Sequence, residues 1–195
     1  STVPNAGYTF LNWSGGTVED INSSSTRTTM VQDLNLTANF KINQHSLNIS
    51  SGIGGTVDEV NSIQPYGNTI ILNAKPGIGY AFAHWQGNAS FTNRFSSSSS
   101  ITILNDTNIT AIFKALDFSV NVFIQGSGIT TGSGFYNYGE TITLTSQPDN
   151  GHFFSKWSGS KIEDSTSPEL TIMVIQDLNI TATFLESPIG MNSLL

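Results

Sequence analysis

A single motif recurs three times at a constant interval, and no other feature constrains the fold as much. The copies read Gly7-Tyr8-Thr9-Phe10-Leu11-Asn12-Trp13-Ser14-Gly15, Gly79-Tyr80-Ala81-Phe82-Ala83-His84-Trp85-Gln86-Gly87 and Gly151-His152-Phe153-Phe154-Ser155-Lys156-Trp157-Ser158-Gly159. Their leading glycines are 72 residues apart in both intervals, and the three tryptophans of the chain occupy one position of the motif. A second anchor keeps the period: Asp33-Leu34-Asn35-Leu36-Thr37-Ala38-Asn39-Phe40, Asp106-Thr107-Asn108-Ile109-Thr110-Ala111-Ile112-Phe113 and Asp177-Leu178-Asn179-Ile180-Thr181-Ala182-Thr183-Phe184. Here the spacing is 73 and then 71 residues, so a loop between the anchors changes length, as surface loops do and packed strands do not. Such a period describes a tandem array of small modules, suited to length, stacking or repeated contact rather than to one catalytic pocket.

Within each period the pattern is that of strands. Over 34–40, Leu34, Leu36, Ala38 and Phe40 alternate with Asn35, Thr37 and Asn39, the two-residue period of a half-buried strand. Ile109, Ala111 and Phe113 repeat it, as do Ile180, Ala182 and Phe184. Tyr8 and Phe10 alternate likewise, and Trp13 joins them after a bend. Residues 69–74 and 141–146 are β-branched runs that end in proline turns, and 47–50 and 120–124 open the second and third periods ahead of glycine-rich turns. A full period predicts five or six short strands, and the serine run 96–100 predicts a solvated loop. The chain thus divides into a half-module at 1–41, complete modules at 42–115 and 117–186, and a tail at 187–195. The whole reads as an elongated all-β array. The half-module keeps the glycine–tryptophan strand and two strands after it. It lacks the opening hairpin and third strand, about 36 residues in the other copies.

Composition narrows the partners. Charged residues make up 11% of the chain, the formal net charge is -7, and the seven Lys and Arg are scattered. Phosphate recognition needs them clustered, so nucleic acid is disfavoured. No apolar run reaches the roughly 18 residues that span a bilayer. No signal peptide is seen, so Ser1 reads as a mature or trimmed start. Cysteine is absent, which removes disulfides, thiolate metal sites and cysteine nucleophiles, and suits a surface protein exported without oxidative folding. Sequons begin at Asn12, Asn22, Asn35, Asn48, Asn88, Asn105, Asn108 and Asn179. Asn35, Asn108 and Asn179 share one repeat position and are the candidate glycosylation sites.

The motifs together resemble the divergent internalin-B B-repeat family of bacterial surface proteins. The third copy follows the family pattern along its length: Tyr138-Gly139-Glu140-Thr141-Ile142-Thr143-Leu144, Pro148, Gly151, Phe154, Trp157, Gly159, Met173, Asp177, Thr181, Ala182 and Phe184. The second copy matches from Tyr66-Gly67-Asn68-Thr69-Ile70-Ile71-Leu72 onward, and the first only over its second half. His152 departs from the usual tyrosine, and Leu104 stands near where Met30 and Met173 fall. The resemblance implies a small β-rich module, β-grasp-like or a compact sandwich, strung in tandem on secreted or cell-surface proteins as a stalk, spacer or adhesive segment. It implies no catalytic residue and no cofactor.

The remaining candidates are weighed on the residues themselves. Trp13, Trp85 and Trp157, with Phe10, Phe82, Phe154, Phe40, Phe113 and Phe184, read as the core of each module. Glycan stacking on exposed indoles is the alternative, which would make the chain a carbohydrate-binding accessory module. Glu19-Asp20 and Glu163-Asp164 both lie six residues past their tryptophan and are calcium candidates, although calcium takes six to eight oxygens. His45, His84 and His152 fall at different repeat positions and form no metal or triad set. Tyr66, Phe135, Tyr136 and Tyr138 suit either core packing or contacts between modules or subunits. The half-module leaves open strand edges and an apolar face. Either the chain is an excerpt, or the half-module is disordered, or another subunit supplies the missing strands. In the last case the tail residues Ile189, Met191, Leu194 and Leu195 are the donor. The expected partners are neighbouring modules or identical subunits, with surface glycans under the alternative.

Overall fold

The computed structural model describes residues 1–159 and 161–188, and these form sixteen strands and no helix. The chain separates into two compact units, Ser1–Gly77 with Phe82–Phe113, and Ile78–Ala81 with Lys114 onward. The first unit opens with the half-module, an antiparallel pair of β1 (Tyr8–Ser14) and β2 (Thr37–Ile42). The first complete module follows: β3 (Gln44–Ser51), β4 (Gly55–Val57), β5 (Ser62–Pro65), β6 (Thr69–Pro76), β7 (Tyr80–Gly87), β8 (Ser98–Thr102) and β9 (Thr107–Ala115). The second complete module holds β10 (Asp117–Gln125), β11 (Gly128–Thr131), β12 (Gly134–Asn137), β13 (Glu140–Pro148), β14 (His152–Gly159), β15 (Glu169–Val174) and β16 (Leu178–Glu186).

Each complete module is a sandwich. One sheet has the order β5-β3-β9-β7 and the other β4-β6-β8; the second module repeats this as β12-β10-β16-β14 and β11-β13-β15. The first and last strands of a module run parallel, β3 beside β9 and β10 beside β16, while β5 on β3, β12 on β10 and β14 on β16 are antiparallel. Alternation along the strands sends Leu47, Ile49, Ile109 and Ala111 from one sheet, and Leu72, Ala74 and Ile101 from the other, into one core around Trp85. The second core repeats it with Val120, Leu178, Ile180, Ala182 and Phe184 against Ile142, Leu144 and Val174 around Trp157. Both indoles are 0% exposed. Burying a side chain of that size removes about 200 Å² from water, an upper estimate of about 5 kcal/mol before entropy is counted.

The glycine–tryptophan strand explains its own spacing. Strict alternation would put residues three apart on opposite faces. In β1 the register against β2 shifts between Phe10 and Asn12, and in β14 the register against β16 shifts between Phe154 and Lys156. The extra residue, Leu11 or Ser155, is a bulge that returns the tryptophan to the side of the phenylalanine. The last glycine of the motif is equally constrained. Gly15, Gly87 and Gly159 have φ of 94°, 149° and 152°, and a Cβ there would lie 2.4, 2.2 and 2.3 Å from the carbonyl oxygens of Asn35, Asn108 and Asn179. Only glycine permits that approach.

Three expectations need correction, and one pair of alternatives is narrowed. Complete modules have seven strands, not five or six, because short edge strands such as β4 and β5 carry little sequence signal. With no helix among the described residues, the module is a sandwich rather than grasp-like. The serine run is not a loop: 98–102 is β8, where Ser99 pairs with Leu72 and is buried, its Oγ accepting the N–H of Asn93. In the half-module only one strand, not two, follows the tryptophan. Residues 25–30, which correspond to β8 and β15, form no ladder because the equivalent of β6 and β13 is missing.

Candidate functional site

The most telling site is the slot that a module's first strand fills. In the complete modules the last strand grips the first from its edge. Asp106 Oδ1 accepts the N–H of Ser46 at 2.7 Å, and Asp177 Oδ1 accepts the N–H of Ser119 at 2.7 Å and its hydroxyl at 2.9 Å. These backbone donors hold both carboxyls below the ordinary aspartate range, with His45 adding a weaker pull on Asp106. Two residues further on, Asn48 Nδ2 donates to Asn108 Oδ1 at 3.0 Å, and Asn121 Nδ2 to Asn179 Oδ1 at 3.1 Å. Both pairs are direct register partners of the parallel ladder.

Among the described residues the half-module holds the recipient half of this arrangement. Asp33 and Asn35 stand at the Asp106 and Asn108 positions, and their side chains make no hydrogen bond among the described residues. Among the described residues β2 pairs only with β1, and no strand lies on its other edge. It also begins at Thr37, three residues after the position where β9 and β16 begin, because 34–36 correspond to the stretch that pairs with the first strand. The apolar face is open above it. Phe40 is 39% exposed, which corrects its assignment to a core, since the second sheet that would cover it is missing. Met30 and Val31 are 64% and 87% exposed. Phe10 and Trp13 are half-buried, and Trp13 Nε1 donates to the Ser23 carbonyl at 2.9 Å, as Trp85 Nε1 does to Ser96 at 3.0 Å. Trp157 Nε1 is buried without an acceptor among the described residues.

A second recurring set of contacts, the junction, lies within each unit: Gly7, Asn43 and Tyr66 in the first, and Gly79, Leu116 and Tyr138 in the second. The Asn43 N–H donates to the Gly7 carbonyl and the Tyr66 N–H to the Asn43 carbonyl, at 2.8 and 2.9 Å. Leu116 to Gly79 and Tyr138 to Leu116 repeat these bonds at 2.8 Å each. The tyrosine ring lies on the glycine. A Cβ on Gly7 would fall 1.9 Å from Tyr66, and one on Gly79 2.1 Å from Tyr138. Both glycines have positive φ, 78° and 77°. Gly151 has a similar φ, 81°, with nothing among the described residues within 4 Å of that point, yet its carbonyl still accepts the Ser187 N–H at 2.8 Å.

The profile of the divergent InlB B-repeat domain family matches residues 1–44, 45–117 and 118–188. The chain belongs to that family. No curated protein and no solved structure matches it. The family is one of bacterial surface-protein repeats, and each match ends within a residue or two of the linkers Asn43, Leu116 and Ser187.

The other candidates sit on the B-repeats as follows. Phe82, Phe113 and Phe154 are partly buried against their cores and Phe184 is buried. Ring centroids of Phe82–Trp85 and Phe154–Trp157 are 5.4 and 5.3 Å apart. Trp85 and Trp157 present no exposed face on which a sugar could stack. Tyr66 and Tyr138 belong to the junction. Tyr136 packs on the second core and donates to the Gly132 carbonyl at 2.9 Å, and Phe135 is 82% exposed. The calcium candidates have other occupations: Asp20 Oδ1 accepts the Asn22 N–H at 2.8 Å, and Asp164 pairs with Lys156 at 2.5 Å. Glu19 and Glu163 add no further carboxylate cluster, and no group of three metal-ligating side chains occurs among the described residues. His45 lies 3.7 Å from Asp106, while His84 faces Phe95 and His152 the Asn150 carbonyl. Ile189, Met191, Leu194 and Leu195 lie outside the described residues. Sequence reasoning missed the aspartate grip and the tyrosine–glycine contact. Each joins residues about 60 positions apart, and only the recurrence of Asp in every copy and of Tyr-Gly in both complete modules hints at them.

Proposed function

We propose that the chain is a non-enzymatic structural and adhesive segment of a cell-surface protein, stalk or filament, and that copies join head to tail by strand complementation. The observation behind this reading is the unpaired edge of β2. Two complete B-repeats in the same chain fill that edge with a parallel strand, and the half-module retains Asp33, Asn35 and the aromatic trio that go with it. An extended segment added to an open edge gains main-chain hydrogen bonds, with side-chain pockets setting its register. A contact between unlike ends of identical subunits propagates as a filament unless its rotation closes a ring. Extracellular placement follows the family's association with surface proteins.

Light scattering coupled to gel filtration tests the reading. The 195-residue chain should gain mass with concentration and give threads in the electron microscope. Removing 187–195 should leave both complete B-repeats melting as before and keep the chain monomeric. A full chain that stays monomeric at millimolar concentration refutes the proposal, as does a shortened chain that polymerises normally.

A further inference from the structure

We infer that residues 189–195 of one copy form the missing first strand of the next copy's half-module, parallel to β2, with Met191 opposite Leu34 and Asn192 opposite Asn35. This deepens the head-to-tail reading and rests on it. The register comes from the junction bonds. Asn43 donates to Gly7 and Leu116 to Gly79, and the first strands β3 and β10 begin one residue later, at Gln44 and Asp117. Ser187 makes the same bond to Gly151, which places Pro188 where a first strand begins. Proline is tolerated at the first position of a strand.

Counting from that bond aligns the three segments. Ser46, Ser119 and Gly190 share a position; so do Leu47, Val120 and Met191, and likewise Asn48, Asn121 and Asn192. Leu47 and Val120 are 1% exposed in their cores, and the methionine supplies an apolar side chain of similar size for that place. Asn48 and Asn121 make the side-chain bonds to Asn108 and Asn179, and Asn192 meets the corresponding Asn35. The Gly190 N–H reaches Asp33 as the Ser46 N–H reaches Asp106, without the hydroxyl that Ser119 adds. Ser193 departs from the pattern, standing where Ile49 and Val122 stand. The segment cannot pair beside its own β16, because β10 already occupies that edge. With the donor in place, 34–36 gain the ladder that their counterparts 107–109 have with β3.

The chain has no cysteine, so Asn35→Cys with Asn192→Cys introduces the only thiols. Paired residues of neighbouring strands fall in the Cα range of about 4.4–6.8 Å that a disulfide spans. Oxidation of the assembled double variant should give a reductant-sensitive ladder of multimers on denaturing gels. Asn35→Cys with Ile189→Cys, three residues out of register and about 10 Å away, should give none. Polymers without the 35–192 ladder overturn this register and leave the head-to-tail reading standing; a wild-type chain that never polymerises overturns both. A link closed within one copy, running as monomer, overturns the second copy as occupant. Two further variants guard against a misleading cysteine pair. Met191→Asp should raise the critical concentration more than about tenfold with melting of the complete modules unchanged. Ser193→Ile, which restores the residue type of the other copies, should lower it. No response to either overturns the assignment.

Discussion

The half-module and a complete B-repeat carry the same aromatic trio at nearly the same spacing, yet in different surroundings. Phe10–Trp13 and Phe10–Phe40 centroids are 5.6 and 5.9 Å apart; Phe154–Trp157 and Phe154–Phe184 are 5.3 and 5.6 Å apart. Trp157 is fully buried, whereas Trp13 is half-buried and Phe40 exposed. The trio's geometry is therefore a local product of two paired strands and a bulge. Its burial is not local, because it needs the second sheet and the parallel strand. A trio of the same residue types in nearly the same geometry contributes differently to stability according to what covers it.

Truncating the tryptophans should separate the two regions most sharply. Trp85→Ala and Trp157→Ala each remove a fully enclosed indole and should cost about 3–5 kcal/mol in denaturant unfolding of their own modules. Trp13→Ala should cost about 1–2 kcal/mol in the unassembled chain, since part of its surface is already wet. Equal losses at all three positions would break the comparison. Assembly that brings the Trp13 loss up toward the other two would sharpen it.

The junction glycines give the next largest contrast. Gly79→Ala forces a Cβ into the Tyr138 ring at a positive φ and should destabilise by about 2–3 kcal/mol. Gly151→Ala meets open space at the same φ and should cost only about 1 kcal/mol, the conformational part alone. Paired melting curves decide it, and indistinguishable costs would mean that the tyrosine ring simply swings away.

The smallest effect is electrostatic. Asp106 and Asp177 titrate below their unfolded values, so their contribution is complete above the unfolded value and is lost as pH falls through the depressed one. Melting temperature should therefore decline in acid below the ordinary aspartate range. Asp106→Asn together with Asp177→Asn should flatten that decline. A profile as steep in the double variant as in the parent would assign the acid sensitivity to other carboxylates.

Much of this was legible in the sequence, and the parts that were not share a cause. The period, the strand character of 107–113 and 178–184 and the place of the trio follow from residues whose chemistry admits few alternatives: a bulky aromatic, a glycine at fixed distance, a strict alternation. The β8 strand was hidden because three serines carry no β signal. Its place comes from pairing with the Ile70–Leu72 stretch of β6, and Ser99 fits the core because it is small. The open face of 25–36 was legible only in part, since the missing partner could be counted but the loss of a whole strand at 25–30 could not. The tyrosine–glycine contact was hidden because its energy comes from two residues that local pattern treats as unrelated.

The parallel pairing of first and last strands has a mechanical consequence. A pull along the chain draws β10 from its start and β16 from its end. The six register pairs from Val120↔Leu178 to Gln125↔Thr183 then carry the load together, in shear. In β1 and β2 the pulled ends meet at the Tyr8↔Ile42 pair, so the same tension opens that hairpin one bond at a time, like a zip. Under the same tension a complete B-repeat resists as a clamp, and the half-module yields first.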